Sequence, residues 1–254
     1  MSTHNDNLTL GRGQLWFKKD GMSGFRFLGN APAFNINVTS EKLPHYRSTR
    51  GIREKDRDIV VQTNRTSTLQ LEDISEENLA LYLLGSTSEI AQTSATAQSE
   101  TFTDVNLGGL YQVGATTANP TGIRKLSNFV LKKGATTLVL NTDYEVDLDR
   151  GTFEVLATSS TVDEGDDLTA EFDRAAIKRK QTVSGSNSAA GEIKFVAFPA
   201  EGEPRDFLMP SATISPNGEF ALIAENTLQS IPLTVEIQTK GNLSAIYCDG
   251  APYA

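Results

Sequence analysis

Two segments near the amino terminus alternate apolar and polar residues, and this pattern constrains the fold more than any other feature of the sequence. Residues 34–39 read Phe-Asn-Ile-Asn-Val-Thr without a break, which indicates a strand with one buried face. Residues 59–71 form a 13-residue segment with a polar residue at every second position from 62 to 70, whereas a typical strand has about 5–6 residues. The pattern therefore predicts two long strands.

One face of these predicted strands is polar and carries almost no charge. A long strand with such a face suits the wall of a wide barrel that is wet on one side. The face is formed by the amide and hydroxyl side chains of Asn35, Asn37, Thr39, Gln62, Asn64, Thr66, Thr68 and Gln70.

Residues 40–58, between the two strands, are predicted to form a loop that is longer than a compact domain normally contains without a function. The segment mixes basic and acidic residues with Pro44, Tyr46 and Ile52. This mixture is more typical of a contact arm than of a flexible linker. The candidate contact residues are Glu41, Lys42, His45, Arg47, Arg50, Arg53, Glu54 and Lys55.

A helix is predicted at residues 74–84, where the sequence carries an apolar stripe. Asp73 is expected to cap it, with Glu76 completing a capping box, and Gly85 is expected to end it at the C′ position. We predict that this helix packs on the back of the sheet. Residues 86–98 are rich in Ser, Thr and Ala and fit either a loop or a plain exposed strand.

The rest of the sequence reads as short strands separated by turn residues. Strands are predicted at 128–131, 137–140, 144–148, 153–156, 168–172, 193–198, 207–214, 220–223, 233–238 and 246–248, with a hairpin tip at 184–191. We therefore predict an all-β protein with one flanking helix. Residues 1–103 and 175–254 are expected to form two halves of one domain, and residues 104–174 a β-rich insertion or elaboration.

The sequence offers little for catalysis or cofactor binding. It contains two histidines, His4 and His45, outside any metal-binding spacing, and no nucleotide-binding or nucleophile-elbow motif. Cys248 is the only cysteine, so no intramolecular disulfide can form, and its place in a predicted strand suggests burial. We predict that the chain is not an enzyme and needs no cofactor.

Two clusters have a functional and a structural interpretation. Acidic residues at alternate positions of one predicted strand could hold calcium, but the segment lacks the glycine and the final glutamate of an EF-hand loop, which favours a solvated strand face. Aromatic residues near the amino terminus could stack on bases, although core or subunit contact is favoured. These clusters are Asp143, Glu145, Asp147 and Asp149, and Trp16, Phe17, Phe25 and Phe27.

Charge is distributed unevenly along the chain. The net charge is −9, which disfavours tight binding of nucleic acid. Residues 1–65 carry 11 basic and 6 acidic side chains, whereas residues 143–173 carry 11 acidic side chains and one arginine. This asymmetry could fix the polarity of a head-to-tail stack, or it could reflect two solvated faces. No secretory signal or membrane-spanning segment is expected.

Several segments resemble the major tail tube proteins of long-tailed (siphovirus-type) bacteriophages. Residues 24–34 with 43–45 resemble the opening of these proteins, and residues 72–85 look like the helix after their first long hairpin. Residues 207–210 and 214–219 are similar to the carboxy-terminal half. The resemblance covers roughly 24–85 and 192–253, and the middle block matches less well.

The resemblance implies a β-sandwich or partial barrel that assembles into a hexameric ring around a channel. Rings would stack into the tail tube of the virion, after assembly in the host cytoplasm, and double-stranded DNA would pass through without specific binding. The implied partners are further copies of the chain, a tape-measure protein, and terminator and tail-tip proteins. The eight amide and hydroxyl side chains would face the lumen, and residues 40–58 would contact neighbouring subunits or rings.

Two other functions are compatible with the sequence. The inner tube of a contractile phage tail or injection system would have a similar ring. A carbohydrate-binding or adhesin β module would present a cluster of exposed aromatic residues, for which one Trp and 6 Tyr provide weaker support.

Overall fold

The computed structural model describes residues 8–47, 49 and 51–250. These residues form mainly strands and a single helix, so the prediction of an all-β protein with one helix is confirmed. The chain divides into two compact units. Unit 1 consists of the chain up to Ser88 and from Gln181 onward, and unit 2 consists of Glu89–Lys180.

The elements follow one another along both units. Their bounds are β1 (Gly13–Lys19), β2 (Arg26–Phe27), β3 (Ala33–Arg47), β4 (Glu54–Leu71), α1 (Glu76–Tyr82), β5 (Ser86–Gln92), β6 (Ala95–Val105), β7 (Leu110–Gln112), β8 (Leu126–Lys133), β9 (Thr136–Thr137), β10 (Tyr144–Asp147), β11 (Thr152–Val155), β12 (Asp166–Arg174), β13 (Ile177–Val183), β14 (Ala189–Ala197), β15 (Arg205–Pro216), β16 (Ile231–Ile237) and β17 (Tyr247–Gly250). The described part of the chain contains no helix with the length and hydrophobicity needed to cross a membrane.

Unit 1 is built on an eight-stranded sheet with the order β2-β1-β14-β15-β16-β4-β3, in which β17 also pairs with β15. β3 and β4 form an antiparallel hairpin whose pairing runs from Ala33 opposite Gln70 to Arg47 opposite Glu54. On its other side β4 pairs with β16 only over residues 66–71. We call residues 33–41 with 62–71 the hairpin base, and residues 42–47 with 54–61 the outer ribbon.

The predicted loop at residues 40–58 is therefore wrong for most of its length. Both strands continue through it, with bulges after Glu41 and after His45. Every residue of the outer ribbon is exposed, because no third strand or helix among the described residues covers either face. A strand exposed on both faces needs no alternation of apolar and polar residues, which is why the sequence pattern did not reveal it.

The opposite face of the sheet forms the core of unit 1. Leu69, Leu233 and Val235 alternate with the polar positions and are at most 1% exposed. Helix α1 packs against β15 and β16, so it covers this apolar face as predicted. The hydrophobic side of the sheet is thus removed from water while the polar side stays open.

The helix itself is shorter than predicted. It is capped by Ser75, which makes no side-chain capping bond, so the predicted capping box at Asp73 is wrong. The Asp73 carbonyl oxygen instead accepts a hydrogen bond from the fully buried Asn78 amide at 2.8 Å. The backbone leaves the helical conformation at Leu84, whose φ is +52°. This is one residue before Gly85, the predicted C′ residue.

Unit 2 has its own core between a three-stranded sheet, β10-β11-β7, and a four-stranded sheet, β6-β12-β8-β9. Its centre is aromatic, with Phe153 within 6 Å of the rings of Phe102, Tyr111 and Phe129. The predicted block 104–174 lies inside this unit, whose bounds are wider at both ends. The chain crosses the boundary twice, in β5 and in β13, which pair with each other.

Several smaller predictions require correction. No strand forms at 220–223, and only residues 136–137 of the region around 137–140 are a strand. Residues 184–188 do not join a hairpin, since β13 pairs with β5 and β14 pairs with β1 and β15. Cys248 is exposed in β17 rather than buried, because this short strand lies at an edge and all four of its residues are exposed.

Candidate functional site

The eight predicted polar residues lie together on one face of the hairpin base. Asn35 is opposite Thr68, Asn37 is opposite Thr66, and Thr39 is opposite Asn64. Directly opposed residues of antiparallel strands project from the same face. Gln62 and Gln70 continue the same row on β4, opposite Glu41 and Ala33. All eight are exposed except Thr66, which is partly buried.

The row extends onto two strands that the sequence analysis did not include. Thr234 is opposite Thr68 on β16, and Glu236 is opposite Thr66. On the next strand, Ser215 and Thr213 are opposite Thr234 and Glu236 in turn. The available signal was the alternation in 211–215, Ser-Ala-Thr-Ile-Ser, which matches that of the hairpin. We call the whole surface on β3, β4, β16 and β15 the polar face.

The polar face is chemically suited to holding water. Asn35 Nδ2 lies 3.5 Å from Thr68 Oγ1, and Gln62 Nε2 donates to Asn64 Oδ1 at 2.7 Å. The positions in this register on β3, β4 and β16 include no Lys or Arg, and their charged side chains are the carboxylates of Glu41 and Glu236. Amides and hydroxyls without cations bind water but lack the charge that grips phosphate.

The edge of the sheet beside this face is long and open. β3 is the terminal strand of its sheet and has 15 residues, which corresponds to about 50 Å at about 3.3–3.4 Å per residue. The far end of the sheet is finished by β2, which has two residues. A long edge presents unpaired N–H and C=O groups that can pair with another chain.

The outer ribbon carries five of the eight predicted contact residues. His45 Nδ1 lies 2.5 Å from Asp56 Oδ1, and Lys55 Nζ lies 2.7 Å from Asp58 Oδ1. The hydrogen bond from His45 lowers the pKa of the Asp56 carboxyl. Glu41, Lys42, Arg47, Arg53 and Glu54 are exposed along the same hairpin, and Arg50 lies outside the described residues.

The outer ribbon also exposes apolar side chains, a feature that the sequence analysis did not use. Leu43 is directly opposite Ile59, and both are exposed, as are Val60 and Val61. Ile52, just beyond the strands, is 89% exposed. Two-stranded ribbons are only marginally stable alone in water, so a ribbon with these residues gains from a covering partner.

The acidic residues of unit 2 do not form one site. Asp143 and Asp149 lie outside β10, so the predicted single strand face is wrong. Asp143 is buried and accepts hydrogen bonds from the Val139 N–H at 2.8 Å and the Ser159 hydroxyl at 2.7 Å. These bonds lower its pKa. Among the described residues no group of three or more His, Cys, Asp or Glu side chains could hold a metal ion.

The amino-terminal aromatic residues pack within unit 1. Phe17 is 3% exposed and belongs to the core. The rings of Trp16 and Phe27 are 5.3 Å apart, and Lys18 Nζ lies 5.2 Å from the centre of the Phe25 ring. Packing among these residues, rather than a row of free rings, agrees with the structural interpretation of this cluster.

A comparison with known families places the chain. The sequence profile of a family described as "Protein of unknown function UCP028589" matches residues 8–240. The chain belongs to this family. No match was found among curated proteins. The matched residues include the polar face, the outer ribbon and all of unit 2, so the family resemblance covers the whole candidate site.

Proposed function

We propose that this chain is a structural subunit of a bacteriophage tail tube of the long-tailed type. Six copies would form a ring, and rings would stack into a conduit for DNA. The observation that carries the proposal is the polar face: eight amide and hydroxyl residues, predicted as a set, share one continuous surface beside an open sheet edge. The sequence resemblance to major tail tube proteins supports the same function.

The chemistry of the polar face fits the wall of such a conduit. Affinity for DNA comes largely from Lys and Arg at phosphates, and the positions that define this row on β3, β4 and β16 have neither. Water held by amides and hydroxyls would separate the wall from the DNA. The carboxylates of Glu41 and Glu236 would add repulsion between the wall and the phosphates.

The open edge of β3 fits assembly into a closed ring. A neighbouring subunit that pairs with this edge would satisfy its free backbone groups and continue the sheet. Repeating that contact around a rotation axis closes the sheets into one barrel, which removes the exposed edges. Contacts between two different surfaces of identical chains produce rings when the rotation closes.

The outer ribbon fits a contact arm between subunits or between rings. It is exposed on both faces in the single chain and combines charged with apolar residues. A tape-measure protein, a terminator protein and tail-tip proteins would be the remaining partners of the assembled tube.

Negative-stain electron microscopy of the purified full-length chain tests the proposal. We expect rings or tubes with a central hole, which become more abundant as the protein concentration rises. Light scattering on the same samples should give masses that are multiples of the 27.5 kDa subunit. Monomers at every concentration, with no hollow particles, would contradict the proposed function.

A further inference from the structure

The connection between β15 and β16 exposes three large apolar side chains. It comprises residues 217–230 and contains neither helix nor strand. Leu222, Ile223 and Leu228 are 78%, 89% and 79% exposed. Connections longer than about 12–15 residues without regular structure are uncommon in compact domains and usually have a function. We call residues 217–230 the apolar loop.

The apolar loop is anchored to helix α1 near one end, and hydrogen bonds within the loop link its two halves. The ring of Phe220 lies 5.7 Å from that of Tyr82 in helix α1, and the Tyr82 hydroxyl donates to the Gly218 carbonyl oxygen at 2.9 Å. Gln229 Nε2 donates to the carbonyl oxygens of Ala221 and Leu222 at 3.0 Å. These contacts hold the segment around Leu222 while its side chain remains in water.

A second exposed apolar surface lies elsewhere in unit 1, on the outer ribbon. Leu43, Ile59, Val60 and Val61 are exposed there. The apolar loop does not cover them in the single chain, since both sets of side chains remain exposed. Exposed apolar groups gathered within a short segment are typical of surfaces that contact another protein.

The two surfaces differ in the sign of their net charge. The apolar loop contains Glu219 and Glu225 and no basic residue, whereas the outer ribbon contains 4 Lys and Arg against 3 Asp and Glu, and the adjoining turn adds Arg53. Opposite charges around two apolar patches favour association of the patches and fix their orientation. Two copies of the apolar loop, or two copies of the ribbon, would instead bring like charges together.

We propose that the apolar loop of one copy docks on the outer ribbon of a second copy, an inference that rests on the proposed tube function and assigns a partner to its contact arm. Leu222, Ile223 and Leu228 would cover the exposed apolar residues of the ribbon. Glu219 and Glu225 would face its basic side chains. Because the paired surfaces differ, one copy of a pair keeps its ribbon free and the other keeps its apolar loop free, so the contact can be repeated from copy to copy.

Disulfide trapping between two single-cysteine proteins tests this contact. In a Cys248→Ser background, one protein carries Leu222→Cys and the other carries Leu43→Cys, with tags of different mass. We expect the mixed disulfide dimer to form at least tenfold faster than either homodimer. Equal rates for mixed and unmixed samples, or the absence of mixed dimers, would overturn the proposal.

A charge exchange provides an independent test that leaves the apolar residues of both surfaces unchanged. Glu219→Lys/Glu225→Lys should reduce assembly at least tenfold, and adding Arg53→Glu/Arg57→Glu in the same chain should restore much of it. Glu203→Lys, a single reversal at an exposed residue that belongs to neither surface, serves as the control and should leave assembly unchanged. The pairing would be contradicted if the variant with all four substitutions did not regain assembly although its circular dichroism spectrum was unchanged.

Electron microscopy of the same samples separates this inference from the proposed function. Hollow tubes without the mixed disulfide would refute the loop-to-ribbon contact and leave the tube function intact. Mixed disulfides in particles without a central hole would support the contact and refute the tube. Monomers alone would refute both.

Discussion

The base and the outer ribbon of the β3–β4 hairpin belong to the same two strands but have different surroundings. At the base, β16 continues the sheet, the side that carries Leu69 packs into the core, and the polar side faces water. In the outer ribbon, β3 and β4 pair with no other strand that the structure describes. The comparison teaches that the described part of the chain buries one face of the base but neither face of the outer ribbon.

The largest effect should come from truncating one leucine in each region. Leu69 is 1% exposed and Leu43 is 58% exposed. Leu69→Ala should lower the free energy of unfolding by about 2–5 kcal/mol because it leaves a cavity. Leu43→Ala should change it by less than about 0.5 kcal/mol but should weaken assembly.

Urea unfolding followed by circular dichroism measures the free energy of unfolding of both leucine variants, and light scattering measures their assembly. A large loss of stability from Leu43→Ala would show that the ribbon is already covered within its own chain. That result would remove the distinction between the two regions.

The sequence predicted the base and missed the ribbon for the same physical reason. Alternation at 34–39 and 62–71 records a difference in burial between two faces, and that difference exists only where the core lies on one side. Residues 42–47 have no such difference, so the charged sequence read as a loop. Charge content alone does not distinguish a loop from a strand that is exposed on both faces.

Other errors arose where a side-chain amide donates to backbone carbonyl oxygens nearby in the chain. Asp73 and Glu76 fit the spacing of a capping box. The buried Asn78 amide instead donates to the Asp73 carbonyl oxygen, and the helix begins at Glu76. Residues 220–223 have the composition of a strand, yet Gln229 provides the hydrogen bonds to Ala221 and Leu222 that a neighbouring strand would have made. Neither contact is visible in the local sequence.

Charge reversal in the contact arm should have the next largest effect. Arg50→Glu/Arg53→Glu should abolish tubes at protein concentrations where the wild type forms them, because it removes attraction and introduces repulsion. The free energy of unfolding should change by less than about 0.5 kcal/mol. Arg150→Glu on unit 2, also at an exposed position, offers a comparison. Long tubes from the double variant would argue against a contact role for this arm.

Lysines placed on one face of the hairpin or the other should show which face lines the channel. Asn35→Lys/Thr68→Lys adds two charges to the polar face, and Ser40→Lys/Thr63→Lys adds two to the other face, each as a directly opposed pair. Each lysine that reaches a phosphate should make the slope of log K for DNA binding against log salt concentration more negative by about 0.9. Retention of short duplex DNA by assembled tubes should rise at least tenfold for the first variant at low salt.

Equal DNA retention by the two lysine variants would show that both faces meet the nucleic acid, or that neither lines the channel. The measurement requires tubes of comparable length, which electron microscopy of the same preparations establishes.

Within the hairpin, acid should have the smallest effect, through one ion pair of the outer ribbon. The hydrogen bond from His45 lowers the pKa of Asp56, so its stabilising effect is complete above the unfolded pKa of about 3.9. It is lost as the pH falls through the lower folded value. Amide NMR signals of Tyr46 and its neighbours should shift in that range, and Asp56→Asn should remove the shift. A wild-type signal unchanged through this range would contradict the expectation.

The most direct test of the account is a cryo-electron microscopy reconstruction of the assembled wild-type protein. We predict a hollow tube in which Asn35, Asn37, Thr66 and Thr68 line the channel and the β3 edge pairs with the adjacent subunit. A tube that carries these side chains on its outer surface, or an assembly without a channel, would contradict the account.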